Sequence, residues 1–208
     1  MHQGVELRCT LRFEAEAWAG GHALVAGIDE AGRGALCGPV VAAAVVLGEG
    51  IDVDGIDDSK RLTRRQREVL AARIRLQARA WGLGLASPLE IDRLNILRAT
   101  HLAARRALSA LGPPPDLALV DGFEIPELGV AQRAIVKGDA QSVSIAAASI
   151  LAKVERDRMM RDWDLRLPGY GLARNMGYGS QAHREALLRL GPSPIHRRSF
   201  RGTGPWLF

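Results

Sequence analysis

The stretch "AGIDEAGRG", residues 26–34, sets two acids side by side at the end of an apolar run and follows them with glycine, arginine and glycine. Adjacent side chains on a strand point to opposite faces. Asp29 and Glu30 can nevertheless leave the core together if the strand ends at Asp29 and the glycine-rich segment bends the backbone there. Ala23 to Ile28 reads as a buried strand, and "PVVAAAVVL" from Pro39 as a second, β-branched one. The glycines lack GxGxxG spacing and the Gly-Lys-Ser of a phosphate loop, which counts against a nucleotide-binding fold. Gly32 and Gly34 leave backbone groups open to close approach by a ligand.

Beyond the second strand, "GEGIDVDGIDDSKRL" (residues 48–62) is a turn-rich linker; its "DVDG" lacks the later acids of a calcium loop. Thr63 and Gln66 form a capping box for a helix with an inner stripe of Gln66, Leu70, Ile74, Ala78 and Trp81. "WGLGLAS" (81–87) reads as a strand. Ser87, Pro88 and Glu90 make a helix start, and the helical pattern runs on through Leu94, Leu97, Ala104 and Leu108 to "GPPP". "DLALVDG" and "RAIVKGD" are short buried strands ending in Asp121 and Asp139. A long helix from about Ser144 to Trp163 carries "IAAASILA", whose small residues let it lie close against a sheet. A helix from Ser180 to Leu190 and a basic tail complete the chain. Adjacent early strands followed by helix–strand alternation predict an α/β domain with a mixed central sheet flanked by helices. Residues 1–22 read as an extension, and 23–208 as one domain whose small C-terminal helical appendage begins near 165.

Three buried strands thus end in acids, at the side of an open α/β sheet where sites are built. Carboxylates converging there repel one another and persist only if protons or cations neutralise them. With no His or Cys beside them, hard oxygen ligands favour Mg2+ or Mn2+ over zinc. Two such ions roughly 3.5–4 Å apart suit phosphodiester hydrolysis. Taken singly, Asp121 and Asp139 read equally as turn formers or helix caps.

The 208 residues suit one domain, and 47% hydrophobic with 25% charged residues is an ordinary globular mixture. The net charge of +5 is concentrated: seven arginines face one acid between Arg61 and Arg79, and no acid follows Glu185. Such segments are usually solvated faces, yet two of them in one domain point toward nucleic acid. Cys9 and Cys37, without metal spacing, suit a reducing compartment. The absence of a signal-type or bilayer-length apolar run predicts a cytoplasmic protein without membrane contact.

The blocks "GIDEAGRG", "GPVVAAAVVL", "DDSKRLTRRQRE", "EIDRLNILRAT", "LVDG", "KGDAQSVSIAAASILAKVERDRMM", "GYGSQAHREAL" and "GPSPIHRRSF" occur in the order of the ribonuclease HII family, which the chain resembles from about Val25 to Phe200. The resemblance implies a ribonuclease H-like fold and an endonuclease that cleaves RNA in RNA/DNA hybrids and single ribonucleotides in duplex DNA. The cut implied is on the 5′ side of the ribonucleotide, leaving 3′-hydroxyl and 5′-phosphate ends, in removal of misincorporated ribonucleotides and RNA primers. It implies Asp29, Glu30, Asp121 and Asp139 as catalytic ligands of two divalent ions. Gly32, Arg33 and Gly34 are expected to read the ribose 2′-hydroxyl through backbone groups, which physics supports because that group distinguishes RNA from DNA.

Tyr178 is expected to pack on the neighbouring sugar, and Lys60 to touch phosphate or stay a solvated loop lysine. Lys153 lies behind the site or in a plain salt bridge; His183 and His196 read as capping or packing residues; Arg197 and Arg198 are expected to steer the duplex. Ala35 and Cys37 depart from the proline and alanine common in the family. The Trp206–Phe208 tail reads as tucked against the domain or as a sliding-clamp contact, and a monomer is expected. Two rivals stand beside this reading: a DNA-junction resolvase on the same fold, and a non-catalytic binder of hybrid duplexes.

Overall fold

The β-branched run after Pro39 forms strand β2 (Val40–Val46), buried along its whole length because helices cover both of its faces. The computed structural model describes residues 9–48 and 50–203, so the Trp206–Phe208 tail lies outside the described residues. β2 pairs antiparallel with β1 (Val25–Ala31) and with β3 (Ala80–Ala86). β1 also pairs parallel with β4 (Leu117–Asp121), which in turn pairs parallel with β5 (Ala131–Ile135). The order β3-β2-β1-β4-β5 is the mixed sheet that the sequence predicts.

Alternation along the strands sorts the core into two layers. Ala26, Ile28, Ala42 and Ala44 meet Ala99, Ala103 and Ala107 of helix α4 (Ile96–Ser109). Ala43 and Val45 meet Ala146, Ala147 and Ile150 of helix α5 (Val143–Arg166) on the other face. A Cβ on Gly27 would stand 2.1 Å from the Ser144 backbone, so α5 sits against β1 only because that position is glycine. This close approach, the one predicted from the alanine run, brings the turn before α5 to the acidic end of β1.

Both predicted capping boxes are formed, Thr63 with Gln66 on α2 (Arg64–Gln77) and Ser87 with Glu90 on α3 (Pro88–Leu94). Other boundaries differ. The helix expected to run on from Ser87 breaks at Asn95, whose φ of 71° ends α3 while its side chain accepts from Arg98 N and caps α4. An asparagine at positive φ stops one helix, and its side chain starts the next. α2 ends at Gln77, so Trp81 belongs to β3 rather than to the α2 stripe. A short helix α6 (Leu172–Asn175) precedes α7 (Gln181–Leu190), which Ser180 caps, one residue before the helix proper begins.

Part of the segment expected to be an extension is helix α1 (Arg12–Ala19). Its Glu14 is buried, and Oε1 accepts from Ser142 Oγ (2.6 Å), Ser144 N (2.8 Å) and Ser144 Oγ (2.6 Å). A carboxylate at the N-terminus of α5 is favoured by the helix dipole, and it ties α1 to the turn that carries Asp139. The basic run from Arg61 is not a bare cationic face: Arg64 pairs with Glu68, Arg73 with Asp52 and Arg75 with Glu155. Among the described residues no helix is long and apolar enough to cross a membrane.

Candidate active site

The parallel register that pairs Ile28 with Val120 brings Asp29 beside Asp121 at the ends of β1 and β4. The third acid arrives differently from the sequence expectation. β5 ends at Ile135, the chain turns through Lys137 at φ 55°, and Asp139 sits on a 3-10 turn, Gly138–Ala140, rather than at a strand end. Gly138 N donates to Asp121 Oδ1 at 2.7 Å, clipping this turn to β4. Carboxylate oxygens of Asp29, Asp121 and Asp139 lie within 4.8 Å of one another.

β1 does not end at Asp29, the route the sequence suggested for Glu30; it runs on to Ala31 and stays paired with β2. Strict alternation therefore holds, with Asp29 on the α5 face beside Gly27 and Glu30 on the opposite face beside Ile28. Glu30 still reaches the same cleft from the strand end, and Arg33 Nη1 donates to its Oε1 at 3.3 Å. The cleft holds about 360 Å³ and is lined by Asp29, Glu30, Asp121, the Gly32–Gly34 turn, Lys60, Lys153 and Tyr178. A larger hollow of about 650 Å³, between α1 and the chain after β2, has no acid among the described residues that line it.

Burial, reinforced by the charges of Glu30 and Asp121, pushes the Asp29 carboxyl well above the usual range. Burial and the charge of Asp139 raise Asp121. Burial also raises Glu30, although the guanidinium of Arg33 opposes it. Lys60 Nζ lies 2.6 Å from Asp139 Oδ2. Partial burial pulls the Lys60 ammonium down, but its hydrogen bond and attraction to Asp139 outweigh this and leave it above its ordinary value. Crowded carboxylates, offering only hard oxygens and drawing in a lysine as counter-ion, fit divalent cations of the Mg2+ or Mn2+ kind.

Lys60 is held in place through its neighbour. Ser59 Oγ bonds to Ser149 Oγ of α5 at 2.6 Å, and Arg67 Nη1 donates to the Ser59 and Leu62 carbonyls. Lys153 pairs with Asp157 at 2.7 Å while its ammonium lies 5.9 Å from the centre of the Tyr178 ring. Tyr178 is 38% exposed at the cleft edge. Arg198 is exposed, its backbone N donating to Asp92 Oδ2 at 3.0 Å.

Arg197 is not placed to steer a duplex, because it is fully buried. Its Nε donates to Gly38 O (3.0 Å), Nη1 to Arg33 O (2.8 Å) and Nη2 to Gly32 O (2.7 Å). Sequence reading missed a second buried guanidinium, Arg156 of α5, which donates to Pro39 O, Cys37 O and Met176 O and lies 5.4 Å from the Tyr178 ring centre. The signal was present in the spacing: Ala148, Ala152, Arg156 and Met160 form one buried helical stripe. Gly32 is fixed by this neighbour, since a Cβ there would lie 2.0 Å from Arg156 Nε and its φ is +96°.

His183 and His196 are buried, as the packing reading expected. Ser193 N donates to His196 Nδ1 (3.0 Å), which leaves the His196 Nε2 proton to face His183 Nε2 (3.1 Å) and the His183 Nδ1 proton to face Tyr178 O (2.9 Å). Burial, helped by His183, depresses His196 to about 4, keeping the chain of imidazoles neutral. Cys37 Sγ lies close to both rings, yet every ring nitrogen already has a partner.

Gly34 offers a clean separation of fold from site. A Cβ there would meet nothing within 4 Å and its φ is not positive, so Gly34→Ala is compatible with the fold. The added methyl would project beside the exposed turn lining the cleft. The expected result is an unchanged thermal midpoint with duplex cleavage reduced roughly tenfold or more; an unchanged kcat/KM would mean that nothing approaches this turn closely.

Buried hard-oxygen acids converging at one end of a mixed sheet, with a lysine and an open backbone turn beside them, define a divalent-metal-dependent phosphodiesterase. The family model for Ribonuclease HII matches residues 26–203, and the Ribonuclease HII of Syntrophotalea carbinolica is 53% identical over 197 residues, covering 95% of this chain and 94% of that protein. The chain belongs to the ribonuclease HII family and is a metal-dependent ribonuclease H endonuclease. The Ribonuclease HII of Geobacter sulfurreducens is 55% identical over 92% of this chain and 88% of its own length. The ribonuclease H2 structure from Pyrococcus horikoshii matches with a TM-score of 0.71 at 30% identity, over 86% of this chain and 95% of that one. The RNase HII in a PCNA complex from Archaeoglobus fulgidus matches at 0.74 and 29%, over 85% and 95%. The architecture is therefore ribonuclease H-like, as the resemblance implied.

Proposed function

We propose that the chain cleaves the RNA strand of RNA/DNA hybrids and also the bond on the 5′ side of a single ribonucleotide within duplex DNA, leaving 3′-hydroxyl and 5′-phosphate ends. The observation that carries this reading is the meeting of two unlike elements in one cleft: three carboxylates within 4.8 Å of one another, and beside them the backbone of Gly32, Arg33 and Gly34. Asp29, Glu30, Asp121 and Asp139 hold two divalent ions, Mg2+ or Mn2+. Such ions, when bound, supply water activation and stabilisation of charge on the leaving oxygen.

The protein's own residues bind, orient and select. Lys60, paired with Asp139 at the cleft, contacts a backbone phosphate of the bound duplex. The Gly32–Gly34 turn reads the 2′-hydroxyl. Tyr178 packs its exposed ring on the adjoining sugar, and Lys153 and Arg198 add contacts to the flanking phosphates. The activity serves removal of misincorporated ribonucleotides and RNA primers by a monomer. The RNase HII in complex with PCNA from Archaeoglobus fulgidus supports a sliding-clamp contact for this chain as well.

The test is a labelled DNA duplex with one embedded ribonucleotide, incubated with Mg2+ or Mn2+ and mapped at nucleotide resolution. A single cut 5′ to the ribonucleotide is expected, absent from all-DNA duplex and absent with chelator. Cleavage of long hybrids alone would remove the single-ribonucleotide part. Binding without any turnover would leave a non-catalytic hybrid binder.

A further inference from the structure

We propose that Arg197 is a positioning residue that sets the discrimination between ribose and deoxyribose, by aiming two neighbouring amides of the Gly32–Gly34 turn into the cleft. The inference rests on the reading that this turn meets the 2′-hydroxyl. In a trans peptide the carbonyl and the N–H point in opposite directions, and the described chain has no cis bond. The guanidinium fork takes the Gly32 carbonyl on Nη2 (2.7 Å) and the Arg33 carbonyl on Nη1 (2.8 Å), both from the buried side. The N–H groups of those same two peptides, Arg33 N–H and Gly34 N–H, are thereby turned the other way, toward the cleft that residues 32–34 line. Among the described residues neither amide has a hydrogen-bond partner, whereas the next one, Ala35 N, folds back on Gly32 O.

The fork is itself fixed from several sides. Nε donates to Gly38 O, the Arg197 backbone N donates to Leu36 O at 2.9 Å, Thr203 Oγ1 donates to the Arg197 carbonyl, and the Phe200 ring lies 5.0 Å from the guanidinium carbon. Arg197 has no carboxylate partner among the described residues and is wholly buried, an expensive place for a cation. A hydrophobic residue would fill the space at less cost, but it could not hold two successive carbonyls. The charge adds a second effect: a peptide whose oxygen accepts from a cation is polarised and its N–H becomes a stronger donor. Lysine can supply the charge but not the planar fork.

Arg197→Lys tests this. On a duplex with one ribonucleotide, kcat/KM is expected to fall roughly 100-fold, the scale of a misplaced reacting group, while affinity for all-DNA duplex measured in chelator stays unchanged. Replacing the 2′-hydroxyl by 2′-fluoro should cost the wild type far more than it costs the variant. Equal losses on both duplexes, or no loss on either, would overturn the proposal. A wild type that does not distinguish the two duplexes would instead sink the 2′-hydroxyl reading itself. If the variant does not fold, hydrogen exchange on the wild type decides: Arg33 and Gly34 amides should exchange fast in the free protein and slow only with the ribonucleotide duplex in chelator. Protection already present in the free protein would refute the assignment.

Discussion

Asp29→Asn is expected to stop cleavage and, in chelator, to raise the melting temperature. The catalytic loss should exceed about 100-fold, the most that losing a group behind a metal ligand usually costs. The stability gain follows from the crowding of the acids. Burial and neighbouring charges raise the Asp29 carboxyl in the folded protein, so the fold binds a proton that the unfolded chain has already released. Stability of the metal-free protein therefore falls as pH rises from the ordinary carboxylate range through the raised folded value, and the deficit is complete above it. Asparagine removes that deficit and flattens the dependence. At neutral pH a rise of a few degrees is expected, since about 1 kcal/mol moves the midpoint by roughly 2–4 °C in a chain of this size. Mg2+ or Mn2+ should then stabilise the wild type more than the variant. Melting curves with chelator and with metal check both signs; a variant that melts lower than wild type in chelator would show that like-charge repulsion does not dominate this cluster.

Arg156→Leu should have the largest effect on stability. The guanidinium holds the carbonyls of Cys37 and Pro39, on the chain entering β2, and that of Met176, just before Tyr178. Removing it strands three buried acceptors, each costing about 1–3 kcal/mol when unsatisfied. Relief from burying a cation offsets part of this, leaving a net loss of about 3 kcal/mol and a midpoint lower by roughly 6–12 °C. Circular dichroism melts test the figure, and a midpoint within about 2 °C of wild type would mean that water or repacking satisfies those carbonyls. Activity should fall as well, because the same group fixes the segments on which Gly32 and Tyr178 sit.

The sheet, its mixed pairing and the acids were readable because they rest on local signals. The alanine run of α5 and the valines of β2 announce buried packing, two capping boxes mark helix starts, and Asp29, Asp121 and Asp139 each end or follow an apolar stretch. Asn95 escaped because helical spacing continues across it; only its backbone conformation reveals two helices. Glu30 was right as a cleft residue and wrong in its route there, since β1 keeps its alternation to Ala31. The role of Arg197 was hidden by its company: in "HRRSF" two adjacent arginines look alike, yet one is wholly buried and its neighbour is exposed. Which of two arginines turns inward depends on carbonyls more than 150 residues away in sequence, and no local pattern records that.

The span of the Glu14 clamp has a bearing on synthesis. α1 is made well before the serines that receive its carboxylate, which follow 128 and 130 positions later, so this clamp closes only once the start of α5 has been made. Asp29 likewise waits for Asp139, 110 positions later. The acids can assemble only when most of the polypeptide exists, and Arg197 is translated later still. A half-made chain thus carries a strand with two acids and no site, and the capacity to cut nucleic acid arrives late, with the turn beside it aligned last of all.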